Sequence, residues 1–278
     1  MIELGVTLPS GGDDFSCDRM VRVAEVAREL GYQHVWAGEH LVTDSATADR
    51  GKSLDPFVSL AWIASRVEGI AIGTSIVLLS MRHPFLVARE AATLQLLSGG
   101  HFNLGIGVGW NEPEFRLSGY GFPDRGDRAD EALRVIESLW SGESSFHGGF
   151  WSFDDAFFYP RPEPPPQIWI GGNSTRALAR ARRHGDVWHP NGLPEAAFVS
   201  LKDGWDGRIV PRVPIVFDRE LGDPYTVSGS EAAVAARLRR ALSAGADGFL
   251  LCFEGEDGGV TEMRRFAREI APRLREQE

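Results

Sequence analysis

The sequence predicts a (β/α)8 TIM barrel, and three observations predict it. Apolar runs of strand length alternate with segments of helical period about eight times along the 278 residues. The runs are continuous rather than alternating, the pattern of strands covered on both faces. No linker or composition break divides the chain, and its length and 43% hydrophobic content suffice for one large core. Residues 1–278 therefore read as a single domain.

The first strand spans residues 3–8, and the helix after it carries an apolar stripe at Met20, Val23, Ala24, Ala27 and Leu30 that Gly31 closes. The second strand, 34–38, leads to a helix with Asp55 as N-cap, Pro56 in its first position and Gly69 at its end. Strand three covers 70–77, and Pro84 opens the next helix, which stops at Ser98-Gly99-Gly100. Strands four to eight are expected at 102–108, 168–171, 187–189, 213–217 and 248–253. Ser228 with Glu231 three residues on reads as a capping box for a helix ending at Gly245. Between the fourth helix and the fifth strand, SSFHGGFWSFDDAFFYPRPEPPP (144–166) breaks the alternation. It is aromatic-rich, then proline-rich, and reads as a hairpin insertion running into extended chain. Lying between a helix and the next strand, it is expected at the N-terminal face of the barrel as a covering element.

A formal net charge of −10 without a basic block excludes nucleic-acid and anionic-membrane partners, which need a cationic footprint. The N-terminus has no basic n-region and no 18-residue apolar run occurs, so a cytoplasmic protein is expected. Cys17 and Cys252 stand in no metal or redox spacing and read as reduced packing residues.

In this fold class the C-terminal strand ends and the loops behind them form the active-site face. Glu39 and His40 sit side by side at the tip of strand two. An imidazole titrates near working pH, which makes His40 the first candidate for proton transfer. Other strand ends carry Ser75-Ile76, Gly107-Val108-Gly109-Trp110 and Gly171-Gly172-Asn173-Ser174. Glycine admits a flat ligand or a phosphate close to backbone, and a helix opened by Asn173-Ser174 aims free N–H groups at an anion. The same residues also suit ordinary βα turns. His83 and His189, each before a proline, read as turn or packing residues; Trp36, Trp169 and Trp188 fill space, and Trp110 is the aromatic expected to touch ligand.

The ordered set EHL after strand two, IAIGTSIVLLSMRHPFLVAREAATLQLLSGGHFNLGIGVGW across strands three and four, and IWIGGNSTRALARARRHGDVW across strands five and six resembles the luciferase-like monooxygenase superfamily. More narrowly, it resembles the members that use the deazaflavin coenzyme F420. The resemblance implies a (β/α)8 barrel, a homodimer, and a flavin or deazaflavin bound across the strand C-termini. It implies a catalytic role for His40 with Glu39, close to the reactive ring. Ser75 and Ile76 match a strand-three bulge where relatives hold a non-prolyl cis peptide behind the ring. Val108, Gly109 and Trp110 match the loop on the cofactor side chain, and Gly171, Gly172, Asn173 and Ser174 the phosphate end.

Departures from the pattern narrow the reading. Flavin monooxygenases of the superfamily often place an arginine where this chain has Val108, so its absence favours the deazaflavin over FMN. Sugar-phosphate dehydrogenases of the deazaflavin branch place a glutamate near Trp110 and a tryptophan at Asp44, and neither is here. The loop at 218–227 is short, implying an open site. The function expected is hydride transfer between coenzyme F420 and a small organic substrate. The alternatives are an FMN-dependent monooxygenase, a non-catalytic flavin-binding homologue, and a metal-dependent hydrolase using Glu39, His40, His83 and His189. No two-histidine strand-end motif supports the last, and no metal is expected.

Overall fold

The structure, a computed structural model, describes residues 2–13, 15–48, 52–202 and 204–275. In chain order the elements are β1 (Glu3–Thr7), α1 (Cys17–Glu29), β2 (His34–Ala37), α2 (Pro56–Ala64), β3 (Ala71–Thr74), β4 (Val77–Leu78), α3 (Pro84–Leu97), β5 (Phe102–Gly107), α4 (Glu112–Ser118) and α5 (Arg125–Ser141). There follow β6 (Phe146–His147), β7 (Ser152–Phe153), β8 (Gln167–Gly171), α6 (Thr175–His184), β9 (Val187–His189), α7 (Glu195–Lys202), β10 (Arg208–Ile209) and β11 (Arg212–Phe217). The chain closes with β12 (Val227–Gly229), α8 (Glu231–Ser243), β13 (Gly248–Cys252), α9 (Val260–Glu269) and α10 (Ala271–Arg275). The class is α/β, and all eight expected strands are present. β10 and β12, of two and three residues, are too short to leave a period in the sequence.

The chain divides into two compact units, one of Met1–Pro9, Phe15–Trp36 and Ile170–Glu278, the other of Ser10–Asp14 and Ala37–Trp169. In the first unit the strands run parallel in the order β2-β1-β13-β11-β12, with Gly5 opposite His34 on one side and Leu250 on the other. Val6, Val35, Phe249, Leu250 and Leu251 are fully buried, as strands covered on both faces require. Ser228 does not cap α8. It lies in β12, and the residue directly before the helix, Ser230, has the extended backbone of an N-cap and accepts the Ala233 N–H at 3.3 Å.

In the second unit β3 and β4 both pair parallel with β5, and the strand expected at 70–77 is broken between them at Ser75-Ile76, whose peptide bond is cis. Asp55 caps α2 and His83 caps α3, each just before a proline at the first helical position. Trp140 of α5 donates to the Ala88 carbonyl of α3 at 3.1 Å, fastening the two helices.

β6 and β7 form an antiparallel pair whose turn is held by Glu131 of α5, which accepts the N–H groups of Gly149, Phe150 and Trp151 at 2.8, 2.7 and 2.8 Å. Trp151 lies 6.4 Å from the His83 ring, and Arg128 sits 4.4 Å over Phe150. These neighbours belong to the starts of α3 and α5, and α5 opens with Arg125 bonded to the Gly109 carbonyl just past β5. The turn therefore lies toward the C-terminal strand ends, not the N-terminal face that connectivity alone implies. The carboxylate and the aromatic faces of that side recruit it.

Candidate active site

β2 delivers Ala37, Gly38, Glu39 and His40 to its C-terminal end, where the chain turns past the Ser75 carbonyl. A methyl group on Gly38 would stand 2.3 Å from that oxygen, so only glycine allows the approach. The two residues that follow have separate partners. Glu39, its side chain 3% exposed, accepts the Leu78 N–H at 2.7 Å and takes the Arg82 guanidinium at 3.0 Å on Oε1 and 2.5 Å on Oε2. Arg82 also donates to Asp55, the cap of α2, at 2.5 Å. Burial pulls the Arg82 pKa down, but hydrogen bonds and charge from Glu39, then Asp55, outweigh it and hold the group above its ordinary value. The carboxylate expected to assist His40 is thus committed to a buried ion pair that ties the loop to α2 and α3.

His40 is engaged by a different carboxylate. Its Nδ1 lies 3.0 Å from Oε2 of Glu114 in α4, and the Leu41 N–H donates to Oε1 of the same group at 2.5 Å. Its own N–H donates to Ser53 Oγ at 3.1 Å. No described residue hydrogen-bonds the other ring nitrogen, Nε2. The Trp110 indole, 56% exposed, stands edge-on to the imidazole with centroids 6.2 Å apart. The geometry leaves one histidine nitrogen for a ligand beside an accessible aromatic face. The sequence signal for Glu114 is slight: Pro113 marks a helix start behind the strand-four loop, but nothing there chooses Glu114 over Glu112. Only Glu114 is buried.

The remaining expected residues of this unit gather around the same end. Val108 and Gly109 follow β5; Ser80 Oγ donates to the Val108 carbonyl at 2.8 Å, and Gly109 has φ +76, a left-handed turn that suits glycine. Ile76 packs against the Leu78, Met81 and Phe115 cluster. In the other unit, Gly171 ends β8, and Gly172 beyond it leads to Ser174, which caps α6 by accepting the Ala177 N–H at 3.2 Å. That bond uses the oxygen and leaves the hydroxyl hydrogen to donate. Asn173 is bound to backbone, donating to the Asn191 carbonyl at 2.8 Å and accepting the Asn191 N–H at 2.9 Å, so its amide braces the turn behind β9. His189 is a packing residue, buried, stacked on Trp36 at 5.8 Å and bonded through Nδ1 to the Val210 carbonyl at 2.5 Å. Among the described residues no group of three or more His, Cys, Asp or Glu side chains could hold a metal ion, and no helix is long and apolar enough to cross a membrane.

In the unit with His40 the backbone comes close at Gly38, the Trp110 indole is exposed, and no described residue hydrogen-bonds His40 Nε2. The chain is 33% identical over 188 residues to the F420-dependent hydroxymycolic acid dehydrogenase of Mycobacterium tuberculosis, covering 66% of this chain and 52% of that one. It is 28% identical over 172 residues to the oxygenase component of the flavin-dependent trigonelline monooxygenase of Acinetobacter baylyi, covering 60% and 46%. The chain thus spans about half the length of the curated relatives it matches. Its fold is that of an F420-dependent secondary alcohol dehydrogenase solved with an F420-acetone adduct, with a TM-score of 0.81 over 99% of both chains at 18% identity. The profile of the luciferase-like monooxygenase family matches residues 1–242, and the chain belongs to that family.

Proposed function

We propose that the chain is an oxidoreductase that transfers a hydride between coenzyme F420 and a small organic substrate. The proposal takes residues 1–278 as one (β/α)8 barrel domain with the 146–153 hairpin as its insertion, active as a cytoplasmic homodimer. The observation that carries the function is His40, held through Nδ1 by a buried carboxylate with Nε2 left for a ligand. When bound, the deazaflavin supplies the acceptor or donor of the hydride. Ser75, Ile76, Val108, Gly109 and Trp110 would support its ring and side chain, and His40 Nε2 handles the proton. If a carbinol is oxidised, its C–H leaves as hydride with both electrons and its O–H proton passes to Nε2; reduction of a carbonyl returns that proton. Glu39 supports the step by holding Arg82 and the loop. In the other unit, Gly171, Gly172, Asn173 and Ser174 form an anion-type helix start, where α6 N–H groups and the Ser174 hydroxyl can meet a phosphate.

Val108 brings no charge to a terminal phosphate, which supports the phosphodiester-linked deazaflavin over FMN. Side-by-side fluorescence titrations at fixed pH and salt test the choice. F420 is expected to bind at least tenfold tighter than FMN, about 1.4 kcal/mol. Equal or tighter FMN binding would replace this reading with a flavin-dependent monooxygenase, a class represented among the relatives. Binding of neither would leave a non-catalytic homologue.

A further inference from the structure

We infer that Glu114 is the positioning residue of the site: it holds the His40 ring as the Nδ1–H tautomer, so that Nε2 is the basic nitrogen presented to substrate. The inference rests on the reading of His40 as the proton-handling group. Its geometry is independent of which cofactor binds.

The argument is one of donor and acceptor counting. The Glu114 side chain is 1% exposed, so its oxygens answer to protein groups rather than to water. Oε1 faces the Leu41 N–H, a main-chain donor that cannot become an acceptor, and this oxygen must accept. Oε2 faces His40 Nδ1 at 3.0 Å, and a carboxylate oxygen has no hydrogen to offer. Nδ1 must therefore carry the hydrogen. In the neutral ring Nε2 is then left with a lone pair. Because Leu41 directly follows His40, one carboxylate grips both the ring and the next peptide N–H, which restricts rotation of the imidazole and the backbone together. A histidine side chain free in water prefers the opposite, Nε2–H, form. The resting tautomer is thus imposed by Glu114.

The same count says what an isosteric change does. Glu114→Gln keeps the size but has one acceptor. The Leu41 N–H claims the amide oxygen, and the amide NH2 is turned against Nδ1. The ring must now accept there, and its hydrogen moves to Nε2. The basic nitrogen at the ligand position becomes a donor.

Two-bond proton–nitrogen correlation spectra of 15N-labelled, cofactor-free protein, recorded where the imidazole is neutral, read this directly. His40 is assigned by comparison with His40→Ala. Wild type is expected as Nδ1–H and Glu114→Gln as Nε2–H, with the other histidine signals unmoved. Turnover, measured with coenzyme and substrate in hand, is expected to fall about a hundredfold or more in kcat, with KM little changed, as when an orienting carboxylate becomes an amide. An Nε2–H ring in wild type, an unchanged tautomer in Glu114→Gln, or full kcat with a reversed tautomer would each overturn the assignment. Should Glu114→Gln not fold, the wild-type spectrum alone decides. The spectra need no cofactor, so failure of F420 to bind would count against the proposed function and not against Glu114.

Discussion

Two carboxylates stand near His40, and their partners divide the work. Glu39 neighbours it in sequence, yet spends its oxygens on Arg82 and the Leu78 N–H; Glu114, 74 residues away, meets the ring. A residue that holds the reacting proton and one that holds the loop respond differently to mutation. Replacing His40 by alanine is expected to cut turnover about a hundredfold or more, the scale of a lost general acid or base, while cofactor affinity changes only a few-fold. Steady-state kinetics paired with a binding titration checks both halves. Near-normal turnover would make the histidine a structural residue. Its place at a strand tip was legible because an apolar run ended in a titratable pair. Its partner was not, because hydrogen bonding between distant residues leaves no local pattern.

At the scale of the element, the β6–β7 hairpin depends on a side chain outside it. Burial raises the pKa of Glu131, but the N–H groups of Trp151, Phe150 and Gly149 outweigh it and hold the carboxyl below its ordinary range. A pKa lowered on folding stabilises above the unfolded value and loses that contribution as pH falls through the folded one. Glu131→Gln keeps one acceptor where two oxygens served three donors. The change is expected to cost about 1–3 kcal/mol, chiefly in hairpin docking. Hydrogen exchange at residues 149–151 should speed up while β5 and α3 stay protected; unchanged exchange there would mean that the aromatic contacts alone hold the turn. The sequence announced a hairpin through its aromatic run, and placed it at the wrong end because connectivity says where a segment starts, not what it packs against. The cap of α8 shows the same limit on a smaller scale: SGSE offers two serines, and the backbone angles select Ser230.

For the molecule as a whole, a partly buried polar chain in the first unit is expected to contribute to the acid response. Trp36 donates to His34, His34 Nε2 lies 2.9 Å from Glu3, and Arg208 pairs with Glu3. Burial raises the Glu3 pKa, but His34 and Arg208 outweigh it and hold it below its ordinary value. Nearby, burial pushes His189 down from 6.5 to about 4, so it folds neutral. The unfolded chain therefore takes up a proton at His189 that the folded one refuses between those values. The stabilisation is complete above about pH 6.5 and is lost as pH falls toward 4, about 3 kcal/mol in all. Glu3 adds its own loss at lower pH. Urea midpoints are expected to fall across that interval, and His189→Asn, which can keep a donor for the Val210 carbonyl, should flatten the slope. A wild-type midpoint independent of pH there would mean that His189 is not held neutral by the fold.

The order of the eight expected strands and of the helices between them was decided by the sequence alone, because hydrophobic period, proline at helix starts and glycine at helix ends act over a few residues. So were the family and the position of His40, which rest on contiguous motifs. Tertiary structure decided which carboxylate serves that histidine, that Glu39 pairs with an arginine 43 residues on, and where the hairpin turn docks. These depend on distances through space between residues far apart in the chain, and burial alone distinguishes Glu114, which meets His40, from the exposed Glu112 beside it.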